Sequence, residues 1–147
     1  MDTSGVVERL RRLKAEVENL QPYTQLSLED YLADKERQAA IERHLQLASQ
    51  VCIDTGNYLV AFYGLQTPEK PENIFIVLSR ANLIPEDLGK NMAGMVRFRN
   101  ILVHGYLAID PVKVQSVLAN EMHTFLEFAI AIEELIERDQ KANGEEE

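Results

Sequence analysis

The chain has 147 residues, of which 46% are hydrophobic and 27% are charged, as is typical of one globular domain with its own core. Its net charge of −9 argues against a protein that holds nucleic acid by bulk electrostatic attraction, but it is compatible with a nuclease that has a small local basic site. The single cysteine excludes an internal disulfide, and the sequence shows no zinc-ligand cluster, signal peptide or membrane-spanning run, so we expect a cytoplasmic protein without metal, cofactor or membrane contact.

Apolar residues at spacings of three and four predict helices along most of the chain. The expected helices span residues 6–21, 28–33, 35–63, 71–81, 85–104 and 110–141. The predicted core stripe of the helix 35–63 includes Ile41, Leu45, Ala48, Cys52, Leu59 and Phe62. Ser27 and Asp110 are suited to cap helix N-termini, and Gly64 is suited to end a helix. We find no strand pattern of useful length. The sequence therefore predicts an all-α fold, an antiparallel bundle of about five helices in one domain (1–142), followed by an acidic disordered tail (143–147).

Residues 97–106 carry the strongest indication of chemistry. Two arginines, an asparagine, a histidine and a tyrosine surround an apolar triplet in this segment. A guanidinium binds phosphate through two parallel hydrogen bonds, and an imidazole takes or gives a proton near neutral pH. These are the groups that cleavage of a phosphodiester without a metal needs, so this segment is the candidate site.

The helical period places these side chains on two neighbouring stripes. Arg97, Asn100 and His104 share one stripe, whereas Arg99 lies about 140° from His104 on a continuous helix. Gly105 lets the backbone leave the helix directly after His104, which re-aims the side chains near the helix end. Either arginine can therefore converge with His104 on one phosphate, and the spacing alone does not choose between them.

The other chemically active side chains have simpler interpretations. We expect Cys52, which lies in an apolar stretch, to be a small buried hydrophobe. His44 and His123 are expected to be surface or contact residues rather than catalytic ones. Asp54 is a carboxylate within an apolar helix, where it is either the ion-pair partner of an arginine or a member of the site.

The segment from Arg99 to Tyr106 resembles the Arg-x4-His-x-Tyr motif of the HepT toxins, a branch of the HEPN superfamily. Asn100 matches the polar residue that usually follows the arginine in that family. Residues 42–48 and 52–57 resemble two further segments of the family. Together with the helix order, the resemblance covers nearly the whole chain, and an additional arginine stands two residues upstream of the motif.

This resemblance implies a helical homodimer in which the two motifs face each other across the interface. It also implies a metal-independent RNase, the toxin of a type VII toxin–antitoxin pair, with RNA as its substrate. Arg99 and His104 are then the expected catalytic residues, with Arg97, Asn100 and Asp54 as auxiliary phosphate or site residues.

The resemblance further implies a MntA-type nucleotidyltransferase as the antitoxin, which neutralises the toxin by transferring AMP to the motif tyrosine, here Tyr106. The chemistry of the residues agrees with an RNase, because RNA supplies its own nucleophile, the 2′-hydroxyl, from which His104 removes the proton. Arg99 then stabilises the charge that builds on the phosphate. The alternative is a non-catalytic helical dimer whose motif binds a nucleotide or a nucleotidyltransferase partner.

Overall fold

The structure is a computed structural model that describes residues 1–105 and 109–146. In this part of the chain the backbone forms seven α-helices, two single-turn 3-10 helices and no strand, which confirms the predicted all-α fold. The α-helices are α1 (Thr3–Leu20), α2 (Leu28–Ala33), α3 (Lys35–Phe62), α4 (Ile74–Arg80), α5 (Glu86–His104), α6 (Pro111–Asn120) and α7 (Met122–Glu146). None of these helices is long and apolar enough to cross a membrane.

The helix ends that the sequence marks are formed as predicted. The Ser27 hydroxyl accepts a hydrogen bond from the backbone N–H three residues later, at 3.1 Å, and caps α2. The Asp110 carboxylate caps α6 by accepting a hydrogen bond from the backbone N–H two residues later, at 2.9 Å, with Pro111 in the first turn. Gly64 follows the end of α3 with a φ of +64°, a left-handed conformation that glycine adopts without steric cost.

Four boundaries differ from the prediction by more than one residue. Helix α1 begins at Thr3, three residues before its expected start. The expected helix 110–141 is two helices, because the chain turns at Glu121 (φ −115°, ψ −2°) so that α6 packs on α2 whereas α7 packs on α1 and α5. Residues 71–73 form a 3-10 turn, and α4 begins only at Ile74. The last helix continues to Glu146, so residues 143–146, expected to belong to a disordered tail, extend α7.

Helix α1 runs antiparallel to its two main neighbours. Near its end, Glu16 contacts His44 of α3, and at its start the backbone carbonyl of Asp2 accepts a hydrogen bond from the Tyr58 hydroxyl, farther along α3. Ion pairs to α7 follow the same opposed order. All seven described helices contribute to one apolar core, whose largest fully buried side chains include Tyr31, Phe75, Phe125, Phe128, Leu13, Ile41 and Met92.

The predicted core stripe of α3 is correct except at its last residue. Ile41, Leu45 and Cys52 are completely buried, as expected. Burial raises the pKa of the Cys52 thiol well above its usual value, because the apolar surroundings disfavour the thiolate. Phe62, expected in the core, is 42% exposed, since it lies in the final turn of α3, where it stacks instead on Tyr58.

Two glycines allow α4 to pack closely between α3 and α5. A Cβ atom added at Gly56 of α3 would lie 2.6 Å from Cγ2 of Ile74, and one added at Gly89 of α5 would lie 2.9 Å from the carbonyl oxygen of Phe75. Neither position accepts a side chain without movement of α4. This close packing fixes Ile74 at one wall of the cleft described next.

Candidate functional site

A cleft of about 500 Å³ lies between α3 and α5. Three residues of the α5 motif segment line it: Arg99, Asn100 and His104. Side chains of α3 form the facing wall, and the connection from α3 to α4 closes the remaining side. These other lining residues are Gln50, Ile53, Asn57, Thr67, Pro68, Pro71 and Ile74. The cleft therefore combines a cation, amides and an imidazole with an apolar floor.

The two arginines of the motif segment lie differently relative to the cleft. Arg97 is exposed and does not line the cleft, whereas Arg99 is half-buried within it. Asn100 and His104 are one turn apart on the same face of α5, and the long side chain of Arg99 reaches the cleft from the adjacent stripe. Of the two arginines, the structure therefore brings only Arg99 into the cleft with Asn100 and His104.

The Arg99 guanidinium is held by neutral oxygen atoms. Its Nη2 donates to Oε1 of Gln50 at 2.6 Å, and its Nη1 donates to Oδ1 of Asn100 at 3.2 Å. Its Nε is buried and has no hydrogen-bond partner in the described part of the chain. Within residues 1–105 and 109–146, no carboxylate forms an ion pair with it. The charge of Arg99 is therefore oriented but not neutralised.

Asp54 is connected to this arginine only through Gln50. The Gln50 amide Nε2 donates to Oδ1 of Asp54 at 2.9 Å, one turn farther along α3. Asp54 itself is exposed and does not line the cleft. Among the described residues, Asp54 forms no ion pair with an arginine. It contacts the cleft only indirectly, through its hydrogen bond with Gln50.

His104 is the last residue of α5 and is exposed at the mouth of the cleft. The helix ends there as predicted, and the N–H of Gly105 donates to the carbonyl oxygen of Ile101 at 2.8 Å. The φ of Gly105 is −102°, a value that other residues also adopt. A side chain is nevertheless disfavoured at this position, because an added Cβ would lie 2.9 Å from the same Ile101 oxygen. Tyr106 lies outside the described residues.

The other two histidines are engaged away from the cleft. His44 Nδ1 lies 2.7 Å from Glu16, a buried carboxylate that also accepts from Nε of Arg12 at 3.0 Å. His123 is exposed and lies 2.9 Å from Glu127, one turn along α7. Each contacts a carboxylate and neither lines the cleft, and their lack of a catalytic role stays a prediction.

Sequence reasoning missed the α3 side of the cleft. Gln50 and Asn57 both line it, yet neither was assigned a role. Gln50, Asp54 and Asn57 recur at spacings of four and three, which places polar side chains on one stripe of a mostly apolar helix. That stripe was the available signal, but its meaning depends on the packing of α3 against α5.

Comparison with known proteins identifies related sequences. The profile of the family described as Ribonuclease HepT-like matches residues 13–132. The chain is 33% identical over 108 residues to the tRNA nuclease HepT of Aphanizomenon flos-aquae, covering 72% of each protein. It is 31% identical over 91 residues to the mRNA nuclease HepT of Shewanella oneidensis, covering 62% of this chain and 68% of that protein.

Solved structures share the fold. The tri-AMPylated HEPN toxin of Shewanella oneidensis, solved in complex with an MNT antitoxin, superposes with a TM-score of 0.82 at 26% identity, over 90% of this chain and 98% of that one. YutE of Bacillus subtilis, a cytosolic protein of unknown function, gives a TM-score of 0.81 over 95% of this chain and 93% of that one. Its 18% identity supports the likeness of the fold alone.

Proposed function

The chain belongs to the Ribonuclease HepT-like family, and from this membership and the geometry of the cleft we propose that it is a metal-independent endoribonuclease, the toxin of a toxin–antitoxin pair. The observation that carries the proposal is the convergence of Arg99, Asn100 and His104 on one cleft, with a guanidinium that no described carboxylate neutralises. An unneutralised guanidinium beside an imidazole is suited to bind and cleave a phosphodiester.

The reaction uses the 2′-hydroxyl of RNA as the nucleophile. His104 takes the hydroxyl proton as the 2′-oxygen forms its bond to phosphorus, and Arg99 stabilises the negative charge on the non-bridging oxygens. The bond from phosphorus to the 5′-oxygen then breaks, and that oxygen is protonated as it leaves. The products are a 2′,3′-cyclic phosphate, or its hydrolysed form, and a 5′-hydroxyl end.

A homodimer supplies the missing acid. Arg97, Ile101 and His104 lie at spacings of four and three on the outward stripe of α5, and all three are exposed. Ile101 is 45% exposed, so a second copy that packs along this stripe would bury its side chain. Two copies that meet along this stripe bring the two His104 side chains together, so that one acts as base and the other as acid. Arg97 then contacts RNA from outside the cleft.

The antitoxin is a MntA-type nucleotidyltransferase. The Shewanella toxin similar to this chain was solved with AMP groups attached and with an MNT antitoxin bound, which supports the same control here. AMP on Tyr106, two residues after His104, adds a phosphodiester anion and a purine where RNA must enter. The added phosphate also competes for the Arg99 guanidinium.

The substrate is cellular RNA, and we propose the cytoplasm as the compartment because toxin, antitoxin and RNA meet there. The two curated relatives are named a tRNA nuclease and an mRNA nuclease, so both RNA classes are candidates for this chain. Purified total tRNA and a long mRNA, offered together, distinguish them by which one is cut.

Substitution of the arginine in the cleft tests the proposal. Arg99→Ala should lower RNA cleavage about 10²- to 10³-fold and relieve growth arrest on expression, because it removes the charge that stabilises the phosphate. Arg11→Ala is the matched control, since Arg11 is an exposed arginine on α1 that pairs with Glu8. Full cleavage by the Arg99→Ala protein would overturn the proposal, and RNA binding without cleavage by the wild-type protein would favour a non-catalytic module.

A further inference from the structure

Gln50 occupies a position between Arg99 and Asp54 that determines how the arginine is presented. It lines the cleft from α3, 49 residues away from Arg99 in the sequence, and makes the shorter of the two hydrogen bonds to the guanidinium. At 2.6 Å from Nη2 to Oε1, this contact fixes one edge of the guanidinium against the cleft wall.

Asp54 fixes the orientation of the Gln50 amide. An amide group can present either its oxygen or its nitrogen to a neighbour, and the two ends are chosen by their partners. An ionised carboxylate only accepts hydrogen bonds, so Asp54 requires the Nε2 end, at 2.9 Å. The Oε1 end must then face Arg99, which only donates. Asp54 therefore acts on the arginine through the amide, without contacting it.

An amide at this position also has an electrostatic consequence. Glutamine accepts a hydrogen bond from the guanidinium but carries no charge, whereas a carboxylate in its place would form an ion pair with Arg99. Two of the five N–H groups of Arg99 are used by Gln50 and Asn100, and Nε is buried without a described partner. Donor capacity and positive charge both remain for a phosphate.

We propose that Gln50, oriented by Asp54, is a positioning residue that fixes the Arg99 guanidinium for the scissile phosphate of RNA while leaving its charge unpaired. The inference rests on the proposed function for the identity of the anion. Asp54 then orients the amide of Gln50. Helix α3 thereby contributes a positioning residue to the reaction, in addition to the residues of the motif on α5.

Two substitutions at Gln50 separate orientation from charge. Gln50→Leu removes the hydrogen bond to Arg99 but leaves the positive charge of the guanidinium unpaired. We expect kcat to fall about 10- to 100-fold while KM changes less than about threefold, because a misplaced catalytic group loses rate more than binding. Gln50→Glu adds a carboxylate, so KM should also rise about tenfold or more, since the guanidinium is then paired. Asp54→Asn should give a smaller loss of kcat, because an asparagine no longer dictates which end of the amide faces it.

Gln46→Leu is the matched control, because Gln46 is a half-buried glutamine one turn earlier on α3 that does not line the cleft. It should leave both kinetic constants unchanged. Thermal unfolding of each variant checks that the fold is retained. Equal kinetic losses in Gln46→Leu and Gln50→Leu, or wild-type kinetics in Gln50→Leu, would overturn the proposal.

The affinity for an uncleavable oligonucleotide tests the role of Gln50 independently of RNA cleavage. An oligonucleotide with 2′-deoxyribose binds through its phosphates but cannot be cleaved by 2′-hydroxyl attack. Its Kd, measured by fluorescence anisotropy, should rise about tenfold or more in Gln50→Glu and change less than about threefold in Gln50→Leu. If the wild-type protein fails to cleave RNA, the proposed function fails, yet this assay still decides whether Gln50 leaves the charge of Arg99 available. Equal affinity of Gln50→Glu and the wild-type protein would refute the electrostatic part.

Discussion

Replacement of Gly56 by alanine tests how closely α4 is packed against α3. An alanine Cβ at this position would lie 2.6 Å from Cγ2 of Ile74 and 3.4 Å from Cε1 of Phe75. Carbon atoms in favourable contact are about 3.5 to 4.0 Å apart, so the first distance is too short by roughly 1 Å. Isoleucine is branched at Cβ and has a stiff χ1 angle, so relief requires α4 to move.

The expected change in stability follows from two opposing effects. Alanine is favoured over glycine inside a helix by about 1 kcal/mol. Overpacking of a close-packed core costs about 1–3 kcal/mol, and we expect the upper end because the overlap is severe and the neighbour is stiff. Gly56→Ala should therefore lower the free energy of unfolding by about 2 kcal/mol, which corresponds to a fall in Tm of roughly 6 °C for a domain of this size.

Urea unfolding followed by circular dichroism measures this change, and Ile74→Ala provides the matched background. Removal of the isoleucine side chain eliminates the 2.6 Å overlap, so Gly56→Ala should be neutral or stabilising by up to about 1 kcal/mol in that background. The same destabilisation in both backgrounds, or a gain of stability in the wild-type protein, would refute the reasoning. Because Ile74 also lines the cleft and is displaced by the added methyl group, Gly56→Ala alone should cleave RNA more slowly than the wild-type protein.

Three further outcomes are expected. Glu16→Gln should lower the free energy of unfolding by about 1.5 kcal/mol in urea titrations, because the buried carboxylate accepts from both Arg12 and His44; an unchanged midpoint would show that these contacts add no stability. The thiol of Cys52 should react with Ellman's reagent only after denaturation, because burial removes access and raises its pKa. Co-expression with the antitoxin should add one or more AMP units to the wild-type protein but none to Tyr106→Phe, as read by intact mass spectrometry; AMP on the variant would place the modification elsewhere.

The parts of the fold that depend on local interactions were predictable from the sequence. Ser27 and Asp110 cap their helices with their own side chains, and Gly64 ends α3 through its own backbone conformation. The turn at Glu121 has no such signal, because neither proline nor glycine lies beside it. It arises because α6 and α7 pack against different helices, and that information is tertiary.

The candidate site divides in the same way. His104 and Asn100 share a helix face, so the sequence alone was sufficient to group them. That Arg99 lines the cleft and Arg97 does not depends on the position of the cleft, which the helical period does not contain. Gln50 was missed because its importance depends on a contact that joins residues 49 positions apart, between two helices whose relative packing no local pattern records.

His104 is the proposed base in a metal-free cleavage of RNA, and one measurement tests this role most directly. Wild-type and His104→Ala proteins are incubated with RNA in excess EDTA, and the ends of the products are analysed. The wild-type protein should give 2′,3′-cyclic phosphate and 5′-hydroxyl ends, and the variant should be slower by about 10²- to 10⁴-fold while keeping the wild-type Tm. Full activity in His104→Ala, complete inhibition of the wild-type protein by EDTA, or products with 5′-phosphate ends would contradict the mechanism.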